Sequence, residues 1–116
     1  MFAKTIFSTI LVAVLASGAQ AYSGDATYYY PNGGYGACGT QLQNTDYIVA
    51  LNPVQYSSGA NCGRRINVQY QGKSVQATVA DLCPGCGSGS VDLSPVAFEQ
   101  IAPLSAGRIQ VTWDFV

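Results

Sequence analysis

Histidine is missing from all 116 residues of the chain. Its absence removes Ser/His/Asp triads, Cys/His dyads and imidazole metal sites, each of which depends on a side chain that titrates near neutral pH. Charge is scarce too: Asp, Glu, Lys and Arg make up 9% of the residues, five basic against six acidic. No basic stripe is present to follow a phosphate backbone, so a nucleic-acid partner is not expected. Arg64-Arg65 is the one basic pair, and it reads as a solvated strand end. Nor is there an apolar run of the roughly 20 residues that a membrane span takes.

The longest apolar run, residues 6–16, follows Lys4 and precedes Ala19-Gln20-Ala21, a small-x-small cleavage pattern. Residues 1–21 therefore read as a secretory signal peptide, with residues 22–116 as one domain without a linker. Removing Lys4 with this leader leaves four basic side chains against six acidic ones. The expected protein is secreted, extracellular or wall-associated, without a membrane anchor, and monomeric.

What the chain does contain begins with four cysteines. Cys83 and Cys86 have the C-x-x-C spacing of a zinc site, but Cys38 and Cys62 stand alone in Gly-rich loops, and an oxidising compartment favours disulfides. Three pairings are possible; Cys38–Cys62 with Cys83–Cys86 is the preferred one. The first would close a loop of about 24 residues, worth on the order of 3 kcal/mol in a domain near the lower size limit for a stable core. No metal and no cofactor is expected.

Gly, Ser, Asn and Pro punctuate short runs rich in β-branched and aromatic residues. The runs 26–30, 46–51, 65–70, 74–79 and 108–113 read as strands, and Gln71-Gly72 turns the third into the fourth. Evenly spaced short strands indicate a closed or nearly closed barrel. Ser94 as N-cap and Pro95 at the first helical position start a helix that Pro103 stops, with Phe98 and Ile101 on its core face. Trp113 is expected in the core.

With histidine gone, chemistry falls to carboxylates around the cysteine loop: Asp81 before it and Asp92 after it. Val75, Ala77 and Val79 share one face of their strand, and period-two counting puts Asp81 on that inward parity. There it is partly desolvated, as a general acid requires, or else it accepts backbone N–H bonds and organises the Cys83–Cys86 loop. Asp92 alternates against Val91 and Leu93, which places it on the outer face. It is either functional or a surface aspartate beside a helix N-terminus. Tyrosine is abundant, with eight in the chain. Its flat apolar ring and polar tip suit sugar rings. In Tyr28-Tyr29-Tyr30, alternation sets Tyr29 against its neighbours, leaving at least one ring exposed.

Six motifs occur in order: Gly24-Asp25-Ala26-Thr27-Tyr28-Tyr29, Gly36-Ala37-Cys38-Gly39, Val49-Ala50-Leu51-Asn52, Asn61-Cys62-Gly63, Asp81-Leu82-Cys83-Pro84-Gly85-Cys86 and Val91-Asp92-Leu93-Ser94-Pro95-Val96-Ala97-Phe98. Over residues 22–116 the chain resembles the expansin-like, loosenin-type proteins of the barwin-like and rare lipoprotein A-like superfamily. The resemblance implies a mainly β fold, a six-stranded double-psi β-barrel with one or two short helices and two disulfides. It implies that Thr27 and Asp81 line a polysaccharide groove, with Cys83 where expansins place a groove tyrosine. Asp92 falls where family 45 glycoside hydrolases carry their catalytic acid. Their second catalytic aspartate would fall near Tyr30-Pro31, which offers no carboxylate, so no base faces Asp92 across a sugar. The second, carbohydrate-binding domain of expansins has no counterpart in this sequence, so binding would rest on the barrel groove.

The expected function is thus non-hydrolytic binding and loosening of a wall polysaccharide, cellulose or chitin. Asp92 and Asp81 would be the chemical groups, and Thr27, Tyr28, Tyr29 and Tyr30 the substrate-binding ones. Two other readings stay open: a weak lytic enzyme (endoglucanase or lytic transglycosylase) acting through one acid, and a protein-binding defence or protease-inhibitor role using the loops around Cys38 and Cys62.

Overall fold

The computed structural model describes residues 21–116. The expected leader, apart from Ala21, lies outside the described residues. Six strands form the wall of a closed barrel: β1 (Tyr22–Tyr28), β2 (Ile48–Leu51), β3 (Arg65–Tyr70), β4 (Lys73–Leu82), β5 (Val91–Leu93) and β6 (Ile109–Phe115). Their order around the barrel is β1-β5-β2-β4-β3-β6, closing back on β1. The pairs β1/β5 and β2/β4 are parallel and the other four antiparallel. Closure removes the exposed strand edges that a small sheet would otherwise present.

Inward residues follow the alternation of the sequence. Ile66 and Val68 of β3, Val75, Ala77 and Val79 of β4, Val91 and Leu93 of β5, and Ile109, Val111 and Trp113 of β6 fill the interior. Trp113 is fully buried and donates its indole N–H to the Gly89 carbonyl at 2.8 Å, so its one polar atom is satisfied. Arg64 and Arg65 are exposed, and the Arg64 guanidinium lies over the Phe115 ring at 4.0 Å.

Two short helices lie outside the wall: α1 (Pro53–Tyr56) and α2 (Pro95–Glu99). The sequence reading took Asn52-Pro53 as a strand stop only. Asn52 is in fact the N-cap of α1, its side-chain oxygen accepting from the N–H groups of Val54 and Gln55 at 3.0 and 3.1 Å. Ser94 holds the N-cap position of α2, but its hydroxyl accepts from the Ile48 N–H at the start of the neighbouring β2 instead. Phe98 and Ile101 are buried as expected. The three-residue β5 was too short to show as a run, and β1 begins four residues earlier than the pattern indicated.

Both disulfides take the expected pairing, Cys38–Cys62 and Cys83–Cys86. The first ties the Gly-rich loop after β1 to the segment before β3. The second closes the turn between β4 and β5.

Candidate functional site

The site is assembled by one extra residue. Along the parallel pair of β2 and β4, Val49 faces Val79, yet the next residue of β2, Ala50, faces Asp81. Ala80 is the bulged residue, and it turns its methyl outward into a small cluster with Leu42 and Ile48. A bulge shifts side-chain parity on the strand that carries it. Asp81 consequently points outward, against the inward placement that period-two counting gave. Ala50 also pairs with Asp92 of β5, and Asp92 with Thr27 of β1. Thr27, Asp92, Ala50 and Asp81 therefore form one row across four strands, all on the outer face.

The two carboxylates of this row are held differently. Asp81 Oδ1 accepts from the N–H groups of Ala37 at 2.8 Å and Leu82 at 2.9 Å, while Oδ2 accepts from the Tyr29 hydroxyl at 2.8 Å. It thus organises a loop, but the Gly36-Ala37-Cys38 loop rather than the Cys83–Cys86 turn. The backbone at Gly36 presses on the Ala80 carbonyl with no room for a Cβ, which is why glycine stands there. Burial, reinforced by the hydrogen bond to Asp81, pushes the Tyr29 hydroxyl well above the usual tyrosine range, so it stays a donor.

Asp92 accepts one hydrogen bond, from Thr27 Oγ1 to Oδ1 at 2.9 Å. Oδ2 has no protein partner among the described residues. Desolvation raises its pKa above the ordinary value of 3.8; the Thr27 hydrogen bond opposes the rise, the nearby charge of Asp81 adds to it, and Arg108 opposes it. Asp92 lines a hollow of about 480 Å³ with Thr27, Asp25, Ser90, Arg108 and the Cys83–Cys86 turn. At its rim Arg108 pairs with Asp25 at 2.9 Å, and Gln110 also donates to Asp25. These two bonds hold Asp25 below the usual carboxylate range.

Of the four expected substrate-binding residues, Thr27 lies in the row and Tyr29 reaches its Asp81 end. Tyr30 is 52% exposed and lines a second, smaller hollow beside Asp81. Tyr28 is turned elsewhere: its ring packs against Phe98 and its hydroxyl donates to the Leu104 carbonyl at 3.0 Å. Alternation had separated Tyr29 from its neighbours correctly. The sequence reading missed Asp25, Arg108 and Ser90 as lining residues, because they meet only through the β1/β6 and β1/β5 pairings. It also missed Asn52 and Gln55 as the supports of that wall. Asn52 donates to the Ser90 carbonyl at 2.9 Å, and Gln55 accepts from the Gly89 N–H at 2.7 Å. The Asn-Pro capping signature was the available signal for them.

The closed, mixed six-stranded barrel with its two disulfides is a double-psi β-barrel domain. A family model described as Lytic transglycolase matches residues 21–113, and the chain belongs to this family. The chain is 35% identical over 105 residues to a Papain inhibitor of Streptomyces mobaraensis, spanning 84% of this chain and 73% of that protein. It is 29% identical to an EG45-like domain containing protein of Citrus jambhiri, spanning 94% and 92% of the two chains. Among solved structures, a mutant Clavibacter michiganensis expansin in complex with cellohexaose aligns with a TM-score of 0.75 and 31% identity. That match covers 82% of this chain but half of the expansin's length. The Streptomyces papain inhibitor aligns at 0.73 and 33%, covering 85% of this chain and 96% of that one. The expected kinship with expansin-like barrels holds.

Proposed function

We propose that this is a secreted protein that binds a wall polysaccharide, cellulose or chitin, along the Thr27–Asp92–Asp81 row and loosens it without hydrolysis. The observation that carries the reading is the outward row itself, flanked by a hollow at each carboxylate. Support comes from the expansin of similar fold, which was solved with cellohexaose. Thr27 fixes Asp92 through Oδ1 and leaves Oδ2 to meet a sugar hydroxyl or glycosidic oxygen. Burial raises the Asp92 pKa, which widens the pH range over which the protonated group can donate, and the ionised group accepts.

Inverting hydrolysis requires a base across the sugar from the acid, with room for a water between them. Asp81 and Asp92 rise from the same floor, and Asp81 is already committed to three donors. Tyr30 and Pro31, where such a base would fall, carry no carboxylate, and the one carboxylate lining their hollow is Asp81 itself. The test is retention on insoluble cellulose, chitin and peptidoglycan, with soluble products measured in parallel. Wild type is expected to be retained without product release, and Asp92→Ala to lose retention. Product release abolished by Asp92→Asn would instead establish the lytic reading that the family description names.

Protease inhibition is the second reading, favoured by the Streptomyces papain inhibitor, nearly all of which this barrel covers. Inhibition of papain that survives Asp92→Ala, together with no glycan retention, would establish it.

A further inference from the structure

We infer that the hollow beside Asp81 is a separate sugar-ring subsite whose stacking platform is Tyr35, a residue outside the row and outside the tyrosine run. The inference rests on the polysaccharide-binding reading and names how the second end of that site works. The hollow, about 160 Å³, is lined by Tyr29, Tyr30, Pro31, Tyr35 and Asp81 among others. Asp81 is one of its walls and Asp92 lines the larger hollow, so the carboxylate row joins the two.

A single exposed tyrosine is ordinary on a protein surface. Tyr35, at 75% exposure, is distinguished by its seat. Its backbone bridges to Gln41, and on either side Leu42 N–H donates to the Gly34 carbonyl and Gly36 N–H to the Thr40 carbonyl, each at 2.9 Å. Gly36 abuts the Ala80 carbonyl, Ala37 is held by Asp81, and Cys38 is cross-linked to Cys62. The chain on both sides of Tyr35 is therefore fixed before any ligand arrives, which reduces the ordering cost of binding.

The chemistry of the hollow matches a pyranose ring. Tyrosine rings offer apolar faces to the C–H face of a sugar, and the Tyr29 hydroxyl, which donates to Asp81, still has an oxygen lone pair for a sugar hydroxyl. Among the described residues no cation lines the hollow, which argues against a phosphate or a carboxylated ligand. The two hollows also differ: the one at Asp92 offers carboxylates, an arginine and hydroxyls, the one at Asp81 mostly tyrosine rings. A chain of neutral sugars laid across the row would hydrogen-bond in the first and stack in the second.

The experiment compares wild type, Tyr35→Ala, Tyr35→Phe and Tyr35→Trp for retention on cellulose and chitin. Tyr47→Ala serves as control, because Tyr47 is 44% exposed but does not line the hollow. Affinity is expected to fall roughly three- to tenfold in Tyr35→Ala, to hold in Tyr35→Phe and to rise in Tyr35→Trp. Tyr47→Ala should behave as wild type, and all melting temperatures should match. Glycan retention in wild type that is lost in Asp92→Ala but unchanged in Tyr35→Ala would overturn the subsite and leave the function standing. A wild type retained on no glycan would overturn both. Loss of papain inhibition in Tyr35→Ala, with glycan retention intact, would overturn the subsite by making the hollow a protein contact.

Discussion

Asp81 and Asp92 stand two strands apart in one row of the barrel wall, and the protein surrounds them in opposite ways. Asp81 meets three donors and holds the Gly36-Ala37-Cys38 loop against β4. Asp92 meets one donor and faces a hollow with a free oxygen. A carboxylate whose lone pairs are engaged by backbone N–H groups is a structural anchor, because moving it would orphan those donors. A desolvated carboxylate with a spare oxygen retains the capacity to bond a ligand or to carry a proton. The same residue type in the same row therefore serves one role at each end.

Removing each carboxylate in turn is the strongest test of that division. Asp81→Ala should destabilise the fold by about 3 kcal/mol in a urea titration, since Ala37, Leu82 and Tyr29 all lose their acceptor. Asp92→Ala should leave the urea midpoint nearly unchanged. Equal losses in the two variants would break the comparison.

The disulfides sharpen it. Replacing Cys38 and Cys62 by serine should cost about 3 kcal/mol, whereas the short Cys83–Cys86 loop should contribute about 2 kcal/mol or less. The first change removes the support of the Asp81 end. The second loosens a wall of the Asp92 hollow and should weaken glycan retention more than it lowers the melting temperature.

Asp92→Asn gives a smaller effect with an informative sign. Folding raises the Asp92 pKa, so the folded state binds the proton more tightly and its stability falls as pH climbs past the unfolded value of 3.8. The loss is complete once pH exceeds the folded pKa. Asparagine has no such penalty, so Asp92→Asn should be slightly more stable than wild type at neutral pH and lose that advantage below about pH 4. Melting curves at pH 3 and pH 7 check this. The smallest change is Thr27→Val: losing the Oγ1 donor should move the Asp92 titration, followed by carbon-detected NMR, to higher pH with little effect on stability.

Much of the fold was legible because it is local. Alternation in 65–70, 74–79 and 108–113 marked three strands, and Ser94-Pro95 marked the start of α2. The outward placement of Asp92 also followed from alternation, since β5 is regular. Asp81 was misplaced because nothing in Val79-Ala80-Asp81 announces a bulge: it arises where β2 and β4 are forced into register by the rest of the barrel. Asp25 and Arg108 lie 83 positions apart, and their pairing depends on β1 meeting β6. Tyr35 carries no local signal, as its rigidity comes from Gln41, Ala80, Asp81 and Cys62.

The amino-acid order alone determined the faces of the regular strands, a preference among three cysteine pairings and, in a chain without histidine, a candidate site built from carboxylates, because these follow from spacing and side-chain chemistry. Whether two acids share a face, and which of them is left an unengaged oxygen, was decided by the closed barrel. Parity across a bulge and the supply of hydrogen-bond donors are properties of neighbours that meet only when the chain has folded.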